Sequence, residues 1–173
     1  ERIDKRLQED SYAQVEIEDA FLQKEFDLVN KEQFEKLKAK DIEACFDDYD
    51  KASAIAKREG AQVLIVGKGS ANFAEKSNVY EMPFIFYNAN MQVKVIEAQT
   101  AKLIASKSEK GKWGSENKED AGISAFQKAG KKLAPELIDR IIDAWQKDVY
   151  ESAPYELMIT NINSEQLRNL QVM

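Results

Sequence analysis

The sequence predicts an α/β (α+β) domain in two or three layers, a mixed sheet with an antiparallel hairpin flanked by helices at 11–24, 31–59 and 118–147. Three observations carry that expectation. Apolar residues recur every three or four positions before Gly60 and after Asn117, as on a helix with one buried face. Between those points the period falls to two, with Met91, Val93 and Val95 alternating with Gln92 and Lys94. The short connection Gln99-Thr100-Ala101 then joins two such runs, which makes them an antiparallel hairpin.

The elements follow in order. Ser11 and Gln14 have capping-box spacing, and Val15, Phe21 and Leu22 follow at roughly helical intervals. Phe26 to Asn30 alternates and is short, so a strand is expected. Asn30 with Gln33 looks like a second cap, opening a helix with Phe34 and Leu37. Asp50 can cap a further helical run through Ala52, Ile55 and Ala56, with Gly60 as its C′ residue. Gln62 to Val66 is a continuous apolar run near glycines, as in a strand covered on both faces. Tyr80–Ala98 and Lys102–Ser108 supply the hairpin, and Lys110-Gly-Lys-Trp-Gly114 is expected as a loop. Asn117 caps the long last helix, whose stripe is Ile123, Phe126, Leu133, Leu137, Ile141 and Trp145. Pro135 lies inside that stripe and cannot donate to the carbonyl of Lys131, so a kink or break is expected there. In the tail, Pro154–Thr160 alternates as a strand and Asn163 with Gln166 caps a short helix. The chain thus divides into a domain over 1–150 and a βα start of a second small domain over 151–173.

Composition narrows the function. The 173 residues suit one domain plus a fragment of another, and 43% hydrophobic with 32% charged residues is a globular balance. The formal charge is −6, with basic and acidic residues interleaved, so nucleic acid is not an expected partner. No run approaches the ~18 apolar residues of a membrane helix. The chain begins at Glu1 without a signal segment, which suggests a processed product whose upstream address, a lipid anchor included, is lost. There is no histidine and one cysteine, Cys45. That removes His-based triads, His-containing zinc sites and any internal disulfide.

The run Ala54-x-Ala56-Lys57, Gly60-Ala61-x-Val63-Leu-Ile-x-Gly67, Val93-x-Val95-Ile96, Thr100-x-Lys102-Leu103-Ile104-Ala105 and Ala125-x-x-Lys128-Ala129 with Leu133 has a familiar order. Over roughly 11–147 it resembles the domain shared by the curli secretion channel subunit, the TolB N-terminal domain, the flagellar assembly protein T middle domain and related envelope lipoproteins. The resemblance implies an anticodon-binding-domain-like fold in bacterial envelope components that assemble with themselves or dock other machinery. Two departures stand out. The family's first strand is missing, so it was removed or its slot is filled by Tyr155–Thr160 or another molecule. The hairpin turn carries Ala101 where the family has Gly, implying another turn type or mild strain. Channel members also carry membrane-spanning hairpins, and the alternation of Val79–Tyr87, the sole candidate, is poor for one.

Several motifs invite chemistry. Val66-Gly-Lys-Gly-Ser70 resembles a phosphate loop, but lacks the spacing and following helix and reads better as a bulge or strand end. Asp47-Asp-Tyr-Asp50 lacks an EF-hand's Gly and closing Glu and reads as a cap. Cys45 has acidic neighbours that oppose thiolate formation, and Glu16, Glu18 and Asp19 look like a solvated helix face. Trp113 between Lys112 and Gly114 is the best partner anchor, with Phe84, Phe86 and Tyr87 of the Pro83–Tyr87 run next. Phe84 and Phe86 should face one side of the sheet, Ile85 and Tyr87 the other; Tyr155 and Met158 complete the candidate set.

The expected function is therefore a non-catalytic envelope interaction module, periplasmic or outer-membrane-associated, with protein partners, self-association and no cofactor, catalytic residue or metal. The alternative is a small-ligand or nucleotide-binding domain using the Gly67–Ser70 turn.

Overall fold

A computed structural model of the chain describes residues 12–29, 39–79 and 81–150. Among the described residues, four helices and three strands follow in order: α1 (Tyr12–Gln23), α2 (Ala39–Cys45), α3 (Tyr49–Arg58), β1 (Val63–Val79), β2 (Met82–Glu97), β3 (Leu103–Ser115) and α4 (Lys118–Tyr150). The fold is α+β, and the described strands form one antiparallel sheet in the order β1-β2-β3. Helices α1 and α4 pack on one face, and α2 with α3 on part of the other, giving three layers.

The main core lies between α1, α4 and the sheet. Alternation along β2 sends Met91, Val93 and Val95 toward α4, where Leu133, Leu137 and Ile141 meet them, each of the three leucine and isoleucine side chains at 0% exposure. A smaller cluster on the opposite face joins Val66 and Ile96 to Cys45, Phe46, Ala52 and Ile55. Between Val95 and Ile96 the register of β3 shifts, leaving Ile104 as the inserted residue. Leu103 consequently packs into the second cluster while Ile104 packs against the first.

Close approaches fix how α4 sits. A Cβ on Gly111 would lie 1.9 Å from the carbonyl oxygen of Ala125, so the helix backbone rests directly on β3 there. One on Gly130 would lie 2.7 Å from the carbonyl oxygen of Ala13, which is how α1 nests against α4. Phe26 continues that contact, stacking on Trp145 with ring centroids 5.7 Å apart.

Several sequence expectations need correction. Residues 26–29 form no strand; the apolar alternation there serves Phe26, which packs edge-on to Phe21 at 5.0 Å instead of pairing with a sheet. The buried face of α1 is Ala13, Ile17 and Phe21, at four-residue steps, whereas Val15 and Leu22 are exposed. Over 31–59, where one helix opened at Asn30 and a further run capped by Asp50 are expected, the described residues hold two helices, Ala39–Cys45 and Tyr49–Arg58, separated at Phe46–Asp48. Asp48, not Asp50, caps the second, accepting from the Lys51 amide at 2.9 Å. The Lys110–Gly114 loop is strand, because Gly111 and Gly114 do not turn the chain; they clear space for α4 and for the Phe86 ring. α4 is unbroken at Pro135, an exposed position flanked by the packed side chains of Leu133, Leu137 and Ile138 that hold the helix on the sheet.

Other expectations hold. Asn117 caps α4 through its Oδ1, which accepts from the Glu119 amide at 2.9 Å. Gly60 closes α3 with φ 73°, and its amide donates to Lys57 O at 3.1 Å. Ala101 sits at φ 58° in the β2–β3 turn, the strain that its Cβ implies. Ala101→Gly is therefore expected to stabilise the domain by about 0.5–1 kcal/mol, relief of strain being partly offset by a looser unfolded chain. A thermal melt showing no change or a loss would contradict it. The expected caps at Ser11 and Asn30, the helix with Phe34 and Leu37, and the strand and helix after 151 lie outside the described residues.

Candidate interaction surface

The surface is built by the last third of the β1–β2 hairpin. β3 ends at Ser115 opposite Ile85, but β1 and β2 continue, pairing Ser77 with Phe84 and Val79 with Met82. This two-stranded tip carries apolar side chains beyond the last strand partner of β2. Met82 is 48% exposed, and Glu81 takes φ 68° in the turn.

Just inside the tip, the register places Phe73, Tyr87 and Trp113 side by side across all three strands, on the face that also carries α4. Tyr87 in the middle is 3% exposed, under Ala121 and Ala125 of the first turns of α4. Phe73 meets it edge-on at 6.2 Å, and Lys128 Nζ stands 5.7 Å from the Trp113 ring. Phe73 and Trp113 remain 46% and 48% exposed. A rigid strand rather than a loop thus presents Trp113, as one end of an aromatic row whose centre is buried.

Alternation puts Phe84 and Phe86 on the other face, as the sequence implies. Phe86 lies over Gly114, where a Cβ would be 2.4 Å from its ring, and Lys112 Nζ stands 5.4 Å above it. Both rings are half-buried. Among the expected anchors, Trp113, Phe84 and Phe86 therefore gather at one end of the sheet, while Tyr87 is interior and supports the row from below. Tyr155 and Met158 lie outside the described residues. Sequence reading passed over Phe73 and Met82: nothing in Ala71-Asn-Phe-Ala74 marks a surface aromatic until its pairing with Tyr87 is known.

No family model and no curated protein matches the chain. Among solved structures it is similar to a candidate lipoprotein from Caulobacter crescentus, at 14% identity over 62% of this chain and 85% of that one, TM-score 0.26. It is also similar to lipoprotein GNA1162 from Neisseria meningitidis, at 12% identity over 73% of this chain and 69% of that one, TM-score 0.28. A third likeness is to a Xanthomonas campestris protein of the DUF330 family, at 15% identity over 58% and 62%, TM-score 0.28. At such identities and scores the likeness carries no functional weight, and the residues themselves must carry it.

The remaining motifs take structural places. Gly67–Ser70 runs inside β1, paired in register with Asn90–Val93; the bulge falls later, between Phe73 and Glu75, so there is no turn to cradle a phosphate. Asp48 is a helix cap and Asp47 faces Lys94 at 3.7 Å. Lys94 also donates to Phe46 O at 2.8 Å and sits 4.3 Å from the Phe46 ring, tying the α2–α3 turn to the sheet. Among the described residues no three acidic or Cys side chains gather as metal ligands. Glu16, Glu18 and Asp19 diverge toward Lys131, Gln14 and Gln23 respectively.

Cys45 is 1% exposed and its thiol donates to Asp41 O at 3.1 Å. Burial pushes its pKa up; Asp48 and Asp41 add to that, while Lys51 opposes it. The neutral thiol is the form that burial favours, and Cys45 packs as a core residue against Phe46, Ala52 and Ile55.

Proposed function

We propose that this chain is a non-catalytic interaction module of the bacterial cell envelope, periplasmic or outer-membrane-associated, that scaffolds or regulates a larger assembly. The observation that carries the reading is the aromatic row with its apolar tip: Phe73, Met82 and Trp113 stand exposed on rigid strands, a costly display unless something covers it. The sequence resemblance over 11–147 supplies the envelope setting.

Self-association belongs to the same reading. Among the described residues neither β1 nor β3 has a strand on its outer side. From Val63 to Ala74, β1 carries a single charged residue, Lys68, so its outer edge has little to repel a second copy.

Fractionation of the native cells, followed by site-specific photocrosslinking from position 82 at the exposed tip, tests the proposal. Crosslinks to an envelope protein, lost in Phe73→Ala/Trp113→Ala with the melting temperature kept within about 2 °C of the parent, are the expected result. A cytosolic native location, or crosslinking that the double substitution leaves unchanged, would end it.

A further inference from the structure

The outer edge of β3 is ringed by lysines in a protein whose net charge is −6. A shallow concavity of about 410 Å³ there is lined by Lys110 and Lys112 of the strand, Lys128 and Lys132 of α4, and Gly111 between them. Some of this charge is locally answered. Lys112 pairs with Glu75 at 2.7 Å, and Lys132 approaches Glu109 at 3.8 Å. Lys110 and Lys128 have no carboxylate within ion-pair distance among the described residues, so the edge keeps a positive excess.

The backbone at this edge is turned outward. The Lys110 amide donates to Glu109 Oε2 at 3.3 Å, and the Lys110 carbonyl accepts from Lys132 Nζ at 3.2 Å. Both partners are side chains, so neither backbone group of Lys110 is spent on β2. Antiparallel alternation then sends the backbone groups of Ser108 and Lys112 to the same side. Both observed bonds are long and solvent-exposed, and an incoming strand can replace them at little cost.

From this geometry we propose that β3 takes up an acidic, extended peptide segment of a partner protein as a fourth strand. The inference rests on the interaction-module reading and names a second contact of the same module. Successive side chains of an added strand point to opposite faces. Those on one face meet Lys110 and Lys112, and those on the other meet Lys128 and Lys132, so acidic residues on either face find cations. A second copy of this chain fits badly, since pairing two β3 edges sets Lys110 and Lys112 against their own kind.

The test uses the whole chain and a fluorescein-labelled peptide of four Glu-Thr repeats, with a Lys-Thr peptide as control. Saturable binding of the acidic peptide, with amide shifts at Ser108, Lys110 and Lys112, is expected. Charge reversal in Lys110→Glu/Lys128→Glu should weaken it at least about tenfold, and the milder Lys110→Gln/Lys128→Gln somewhat less. Among the described residues neither lysine has an ion pair to lose, and Lys128 gives up only its 5.7 Å approach to the Trp113 ring, so both variants should melt within about 2 °C of the parent. Equal binding of the Lys-Thr peptide, no saturation, or unchanged affinity in the variants would overturn the proposal. Inorganic polyphosphate competing fully while those amides stay unshifted would overturn it too, leaving a simple anion patch. Peptide-free oligomerisation of the variants, with no peptide binding by the parent, would mean that the lysines only guard the edge. Crosslinks from position 82 that survive any of these failures leave the broader function standing.

Discussion

Gly111→Ala is expected to cost about 3 kcal/mol and to lower the melting temperature by about 6–12 °C. The new methyl would lie 1.9 Å from Ala125 O and 3.0 Å from the Ala129 amide nitrogen, both in the backbone of α4. No rotamer change can clear a backbone atom, so the helix itself must retreat from β3. That retreat opens a gap beneath Ala121, Ala125 and Ala129, small residues that are each fully buried only because the helix sits so close. The consequence reaches the surface as well, since Tyr87 packs with Ala121 and Ala125, meets Phe73 edge-on and pairs in register with Trp113. Denaturant unfolding should show a lower midpoint, with near-ultraviolet circular dichroism changed by the loosened aromatic row. A loss below about 1 kcal/mol would show that the helix seat has slack that the close contact does not suggest.

Leu137→Ala should be as damaging for a different reason. Leu137 is 0% exposed, in the cluster that Met91, Val93 and Val95 form with Leu133 and Ile141. Truncation removes methyl groups from the middle of the largest core and leaves a void that a helix pinned at Gly111 and Gly130 cannot collapse into. A loss toward the upper part of about 2–5 kcal/mol is expected, measured by urea unfolding with an unchanged slope. Leu137→Met conserves volume and should cost less than about 1.5 kcal/mol. If the two substitutions cost the same, the position is not packed as tightly as its burial indicates.

Much of the fold is legible in the sequence because its signals are local. The β2–β3 hairpin follows from alternation about a three-residue turn, even to the strained Ala101, and α4 follows from its apolar stripe and the Asn117 cap. What could not be read locally depended on partners distant in sequence. Lys110–Gly114 looks like a loop because glycines usually mark turns, and only the arrival of α4 and of Phe86 shows that these two glycines make room. Phe26 looks like the start of a strand until Trp145, far along the chain, is stacked on it.

The candidate surface divides the same way. Residue types determine by themselves that the chain has no histidine, a single cysteine and a net charge of −6, and these narrow its chemistry without reference to any fold. They also single out Trp113 as an unusual aromatic. Tertiary structure alone decides that Trp113 joins Phe73 across a buried Tyr87, because cross-strand register depends on pairing and bulges that no local pattern encodes. It likewise decides that Lys110 and Lys128, eighteen positions apart in sequence, flank one strand edge. Periodicity tells which residues are buried; only the packing of α4 on β3 tells which exposed ones stand together.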